Sequence, residues 1–176
     1  MGGLNVYREV GIIPAVAVAI VDLGKGASAV VIAHCLLDVS PLFVLLTALA
    51  VVAGHNWMVF LNFSGGKGMG ATIGALSILF PLYGYPFGLA FFLGVVLIPV
   101  VITRNIALSM GIGLVSLPFI AWLGMKSTPF IIFSIVLGLI IAVKFLPTAR
   151  EALAKAESKK DFIFDRRQRD KDKRGN

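Results

Sequence analysis

The chain has 176 residues, of which 58% are hydrophobic and only 14% charged, and its mean hydropathy is +0.93. A soluble globular domain is about a quarter charged, so the composition excludes an ordinary soluble domain and predicts an integral membrane protein. Residues 1–143 hold five basic and three acidic side chains and 144–176 hold 11 and 6, so the net charge of +7 belongs mainly to the tail.

Apolar segments at 11–37, 41–54, 69–83, 85–102, 106–124 and 128–146 predict six helices, and hence an all-α polytopic transmembrane bundle. The transmembrane domain is read as 1–147 and the charged tail as 148–176. The first 15 residues lack the pattern of a cleavable signal peptide. The first segment carries Asp22 and Lys25, which at i and i+3 share a helix face. Ionisable groups at membrane depth usually face a protein interior. The pair is either a buried ion pair joining helices or a support behind a site. Cys35 is the only cysteine and adjoins His34. It has no disulfide partner and completes no metal site, so both residues are read as helix packing near an interface.

The second and third segments are shorter than the roughly 20 residues a span needs. Between them runs "GHNWMVFLNFSGGKGMGAT", Gly54 to Thr72. Either the helices continue into this motif or the loop sinks into the membrane, where irregular backbone is tolerated only inside protein or beside a water-filled cavity. Both readings bury His55 and Lys67. Gly65, Gly66 and Gly68 permit positive φ and close approach of a ligand. Before a helix starting near Met69, their N–H groups with Lys67 suit a phosphate. The nucleotide-binding P-loop is excluded, because Leu61 stands where its first glycine belongs and Gly68 where its Ser or Thr belongs. The plainer reading is a flexible turn with an interfacial lysine. His55 and Asn56 are either a capping or interfacial polar pair or a hydrogen-bonding or proton-handling pair facing Lys67. Gly70 with Gly74, and Gly84 with Gly88, have the spacing of close helix packing.

Arg104 is read as beginning a helix in "TRNIALS", with Ser109 following. It is a topology signal or a bidentate phosphate ligand, and Arg8 carries the same two readings. Six alternating spans put Arg8, Lys67, Arg104 and the tail on one side, which the positive-inside rule makes cytoplasmic. One polar cluster at that face is the simplest arrangement. No Ser–His–Asp set, metal-ligand set or carboxylate pair is present. Chemistry here would consist of binding and positioning anions, as in transfer on a phosphate-bearing substrate.

The 54–72 motif resembles the second motif of the bacterial acyl-phosphate:glycerol-3-phosphate acyltransferases, through Gly54, His55, Phe60, Phe63, Gly65, Gly66, Lys67, Gly68 and Thr72. "GLNVYREVG" is similar to the end of the family's first motif through Asn5 and Arg8. "DLGKG" fits a following element through Asp22, Lys25 and Gly26. "TRNIALS" fits another, with Ala107 at the usual serine and Ser109 nearby. The resemblance covers about residues 2–155 and lacks the family's first helix. It implies transfer of an acyl group from acyl phosphate to the 1-hydroxyl of glycerol 3-phosphate, giving lysophosphatidic acid, in a bacterial-type cell membrane and with no cofactor. It further implies that Lys67 and the amides of Gly65, Gly66 and Gly68 hold one phosphate and that Arg8 and Arg104 hold the second. His55 and Asn5 would orient the acceptor, with Asp22, Lys25, Asn56 and Ser109 in support. The implied partners are the two substrates and membrane lipids, without nucleic acid. Two other readings remain open at the level of sequence. One is an inactive relative binding a lipid or solute phosphate, and the other a small transporter of a phosphorylated solute. The tail reads as solvated chain or as an adhesive for anionic headgroups.

Overall fold

A computed structural model gives the fold and describes residues 6–7, 10–63, 65–103 and 105–154. Within these residues lie six long helices in the predicted order. They are α1 (Ile12–Val31, continued by a π-helical turn Ile32–Leu36), α2 (Pro41–Asn56), α3 (Met69–Leu82), α4 (Gly88–Thr103), α5 (Ile106–Gly124) and α6 (Thr128–Ala154). Among the described residues there is no strand. Ile12–Leu36 and Thr128–Pro147 are long and apolar enough to span a bilayer, and the other four are shorter apolar helices.

Local chemistry sets the helix ends. Ser40 is extended before Pro41, whose fixed φ suits a first helical position. Asn105 caps α5, its side chain accepting from the Leu108 N–H at 3.1 Å. α3 ends in a turn with Gly84 at φ 78°, where the Gly84 N–H donates to the Pro81 carbonyl at 3.0 Å and the Tyr85 N–H to the Phe80 carbonyl at 2.9 Å. Gly84 therefore serves the turn, and no heavy atom sits near its missing Cβ. This departs from the helix packing predicted for the Gly84–Gly88 pair. Gly88 alone packs closely, against Phe80 and Tyr85.

Aromatic packing fixes the end of the bundle far from the glycine loop. Phe130 at the start of α6 meets Phe80 at 5.6 Å, Tyr83 at 5.2 Å and Phe133 at 5.3 Å between ring centroids. Phe92, Met110, Leu117, Leu137 and Ile141 extend this core along α4, α5 and α6.

α1 packs most extensively against α3. Small residues make the crossing close: a Cβ on Gly26 would strike the Ala71 carbonyl, one on Gly74 the Leu23 carbonyl, and one on Gly70 the side chain of Asp22. The Gly70–Gly74 spacing thus works as predicted. The crossing carries Asp22 to the first turn of α3.

α2 and α3 have 16 and 14 residues, about 24 and 21 Å at 1.5 Å per residue, against a hydrocarbon core of about 30 Å. His55 near the end of α2 touches Lys25 and Asp22, and Asp22 lies about 15 Å along α1 from Ile12. The connection between α2 and α3 is therefore drawn in to the middle of α1. Both helices also run into the Gly54–Thr72 motif, α2 as far as Asn56 and α3 from Met69.

His34 and Cys35 lie in the π-helical turn, and Cys35 is exposed. It does not pack between helices as expected, because Ala33 is the residue that this turn buries.

Candidate active site

The site is built where α1, α2 and α3 meet. Lys25 Nζ donates to Asp22 Oδ1 at 2.6 Å and also to the Nδ1 of His55. His55 Nδ1 lies 3.5 Å from the same carboxylate oxygen. One turn of α1 thus holds the imidazole of a residue 30 positions away. An ammonium only donates, so Nδ1 is the acceptor and the ring proton sits on Nε2. That Nε2 edge faces the glycine loop, where a Cβ on Gly66 would collide with it.

The loop itself folds back on the end of α2. The Gly66 N–H donates to the His55 carbonyl at 3.1 Å. Gly65 lies so close to the carbonyls of His55 and Asn56 that a side chain would not fit. Gly68 has φ 76° and starts α3 without a side-chain cap, leaving first-turn N–H groups of α3 to be satisfied from outside the helix. The N-terminus of α3 and the imidazole N–H edge are donors beside the glycine loop, whose Gly66 N–H is itself engaged by the His55 carbonyl. Donors placed at a helix N-terminus in this way suit an anion.

Asn56 is fully buried, and neither of its carboxamide atoms has a hydrogen-bond partner among the described residues. It does not act as the cap that one sequence reading gave it. Its Oδ1 lies directly against Gly68. Thr72, one turn into α3, is likewise buried with its hydroxyl unpartnered among the described residues. Thr72 belonged to the sequence motif but was not singled out, since a threonine in an apolar helix gives no signal of its own.

Lys67 corrects an expectation. It is exposed rather than buried, with Nζ 4.8 Å from the centroid of the Phe145 ring on α6. The glycines on either side lie against α2. Ser109 is buried and its hydroxyl donates to the Asn105 carbonyl at 2.8 Å, so it is engaged within its own helix. The first helical residue of α5 is Ile106, with Asn105 as cap, so this helix starts after Arg104 and not at it. Asn5, Arg8, Arg104 and the tail beyond Ala154 lie outside the described residues. The Asp22–Lys25 pair is confirmed as a shared-face ion pair, and the structure adds His55 as its third member.

The sequence profile of the family described as "Glycerol-3-phosphate acyltransferase" matches residues 1–155. The chain belongs to the glycerol-3-phosphate acyltransferase family. Glycerol-3-phosphate acyltransferase 1 of Dehalococcoides mccartyi strain 195 is 46% identical over 165 residues, covering 94% of this chain and 79% of that relative. The glycerol-3-phosphate acyltransferase of Thermoanaerobacter sp. strain X514 is 34% identical over 158 residues, covering 90% of this chain and 76% of that relative. The fold matches the crystal structure of PlsY (YgiH), an integral membrane glycerol 3-phosphate acyltransferase, in its glycerol 3-phosphate form. The TM-score is 0.76 at 25% identity, covering 87% of this chain and 74% of that one. The lysophosphatidic acid form of PlsY matches with the same TM-score. The sequence resemblance and the all-α membrane fold thus agree on one family.

Proposed function

We infer that the chain is a membrane acyltransferase that acylates glycerol 3-phosphate at its 1-hydroxyl, with an acyl phosphate as donor and lysophosphatidic acid as product. The observation that carries this reading is the Asp22–Lys25–His55 set directed at the Gly65–Gly68 loop.

In the reaction, the acceptor hydroxyl oxygen forms a bond to the acyl carbon. The bond from that carbon to the donor's phosphate oxygen breaks, and inorganic phosphate leaves. The hydroxyl proton passes to a phosphate oxygen. This assignment agrees with the local chemistry, because His55 Nδ1 is engaged by Lys25 and Nε2 bears the proton, which leaves the ring a donor rather than a base. His55 then orients a substrate oxygen. Gly65 and Gly68 offer backbone N–H groups, and Lys67 adds a full positive charge to one phosphate; the Gly66 N–H, which the resemblance also assigned to phosphate, is engaged by the His55 carbonyl and holds the loop in place. Arg8 and Arg104 are assigned to the second phosphate, and Asn5 to the acceptor. Fixed donors aimed at developing negative charge lower the barrier because they need no reorganisation during the reaction.

The charge distribution supports a cytoplasmic placement of the loop and tail, in the cell membrane of a bacterial-type cell. The substrates arrive from both phases, glycerol 3-phosphate from water and the acyl chain from the bilayer. A loop that begins beside the middle of α1 suits both routes.

The test is acyl transfer by the purified protein from palmitoyl phosphate to radiolabelled glycerol 3-phosphate, with palmitoyl-CoA as the alternative donor. Lysophosphatidic acid formed only from palmitoyl phosphate is the expected result. Product from palmitoyl-CoA alone overturns the donor assignment. No product from either donor overturns the reaction.

A further inference from the structure

The glycine loop is held on its α2 side by His55 and Asn56, but its outer half has a second support on α6. Asn62 and Phe63 both adopt left-handed backbone, at φ 50° and 58°. For a bulky residue such as Phe63 this conformation persists only where the surroundings impose it. Two contacts do so. The Phe63 N–H donates back to the Met58 carbonyl at 3.0 Å, and Lys144 of α6 donates from Nζ to the Phe63 carbonyl at 3.4 Å. Phe63 thus has both backbone groups engaged, one within the loop and one from a residue 81 positions away. The same ammonium lies 5.8 Å from the centroid of the Trp57 ring. Trp57 immediately follows α2, so Lys144 touches the loop at its beginning and at its midpoint. The next residue, Phe145, presents its ring to Lys67 at 4.8 Å.

Neighbouring residues of α6 therefore contact Trp57, Phe63 and Lys67 in turn. Phe60, between these contacts, is 99% exposed, so the outer half of the loop has little packing of its own. The contacts from α6 are what this half has in place of packing, a hydrogen bond and two cation–ring attractions.

We propose that Lys144 and Phe145 form a latch that positions the glycine loop, with Lys144 fixing its backbone and Phe145 aiming the Lys67 ammonium. This rests on the reading of the loop as the phosphate-holding element. Neither residue is assigned contact with substrate; both act through Lys67 and the loop backbone.

The test uses the full chain in detergent, with Lys144→Met, Lys144→Arg and Phe145→Leu. The first readout is independent of catalysis: the rate of tryptic cleavage after Lys67, followed by the mass of the fragment beginning at Gly68. The second is kcat and KM for each of the two substrates. Lys144→Met and Phe145→Leu should speed cleavage after Lys67 and raise KM for one phosphate substrate by about three- to tenfold, with a smaller fall in kcat. Lys144→Arg keeps the charge and the donor and should restore most of the wild-type behaviour. Unchanged cleavage after Lys67 in both Lys144→Met and Phe145→Leu overturns the latch, whatever the activity. Equal acceleration in Lys144→Arg and Lys144→Met also overturns it, because the charge and donor would then be irrelevant. Faster cleavage in a protein whose wild type transfers no acyl group leaves the latch standing and rejects the acyltransferase reading instead.

Discussion

Lys25 of α1 places its ammonium on both the carboxylate of Asp22 and the Nδ1 of His55, joining the middle of the first helix to the end of the second. This contact selects the tautomer of His55 and turns its other nitrogen toward the glycine loop. Lys25→Met removes the donor, frees the imidazole to rotate and leaves the Asp22 carboxylate without its cation. Small misplacements of positioning groups cost up to about 100-fold in rate, so kcat should fall by about 10- to 100-fold while the protein still purifies from the membrane. A wild-type kcat in this variant would remove the triad from the mechanism. Asp22→Asn should give a milder loss, because Lys25 can still donate to Nδ1.

Gly66 and Gly68 differ in what a side chain would do. At Gly66 a methyl group meets the His55 imidazole, so Gly66→Ala should displace the ring or the loop and abolish transfer. At Gly68 the backbone is left-handed, at φ 76°, and a Cβ would also meet Asn56 Oδ1. Gly68→Ala should therefore cost activity and also about 1–2 kcal/mol of stability. Melting temperatures of the two variants, measured beside their rates, separate these effects.

Exposure of Lys67 gives its substitution a clean outcome. Lys67→Ala removes a charge that is no part of the buried core, so folding and membrane insertion should be retained. Acyl transfer should be lost. Wild-type rates in Lys67→Ala would refute the phosphate-holding role of the loop.

The crossing of α1 and α3 makes opposite predictions for two classes of glycine. Gly26→Ala and Gly74→Ala drive a methyl group into backbone carbonyls of the facing helix, and overpacking of this kind costs about 1–3 kcal/mol. Gly94 on α4 has no heavy atom within 4 Å of where its Cβ would lie, so Gly94→Ala should change stability by less than about 0.5 kcal/mol. Because Asp22 rides on this crossing against Gly70, the two destabilised variants should lose activity as well. Thermal unfolding in detergent, with parallel assays, checks both parts.

The order and approximate ends of the six long helices among the described residues were legible from hydropathy alone, since each apolar segment must satisfy its own backbone in lipid and helix is the local solution. The predicted segment 128–146 matches the apolar part of α6 (Thr128–Ala154), and 106–124 coincides with α5. The Gly65–Gly68 loop was legible because glycine and lysine are rare choices between spans. Its depth was suggested by the shortness of the flanking segments, but not decided by it.

The sequence by itself determined the membrane class, the six-helix order and the residues with polar chemistry to contribute, because composition and periodicity are properties of the chain read locally. Only the tertiary structure decided which of those residues meet. The sequence left Asp22 and Lys25 as a pair on one face, and the packing of the end of α2 against α1 brought His55 to them. It left Lys67 buried in expectation, and the way the loop folds back on α2 turned that side chain outward to Phe145. It gave Lys144 no sign of a role, because a contact with a carbonyl 81 residues away depends on how α6 packs beside α2, which no local pattern encodes.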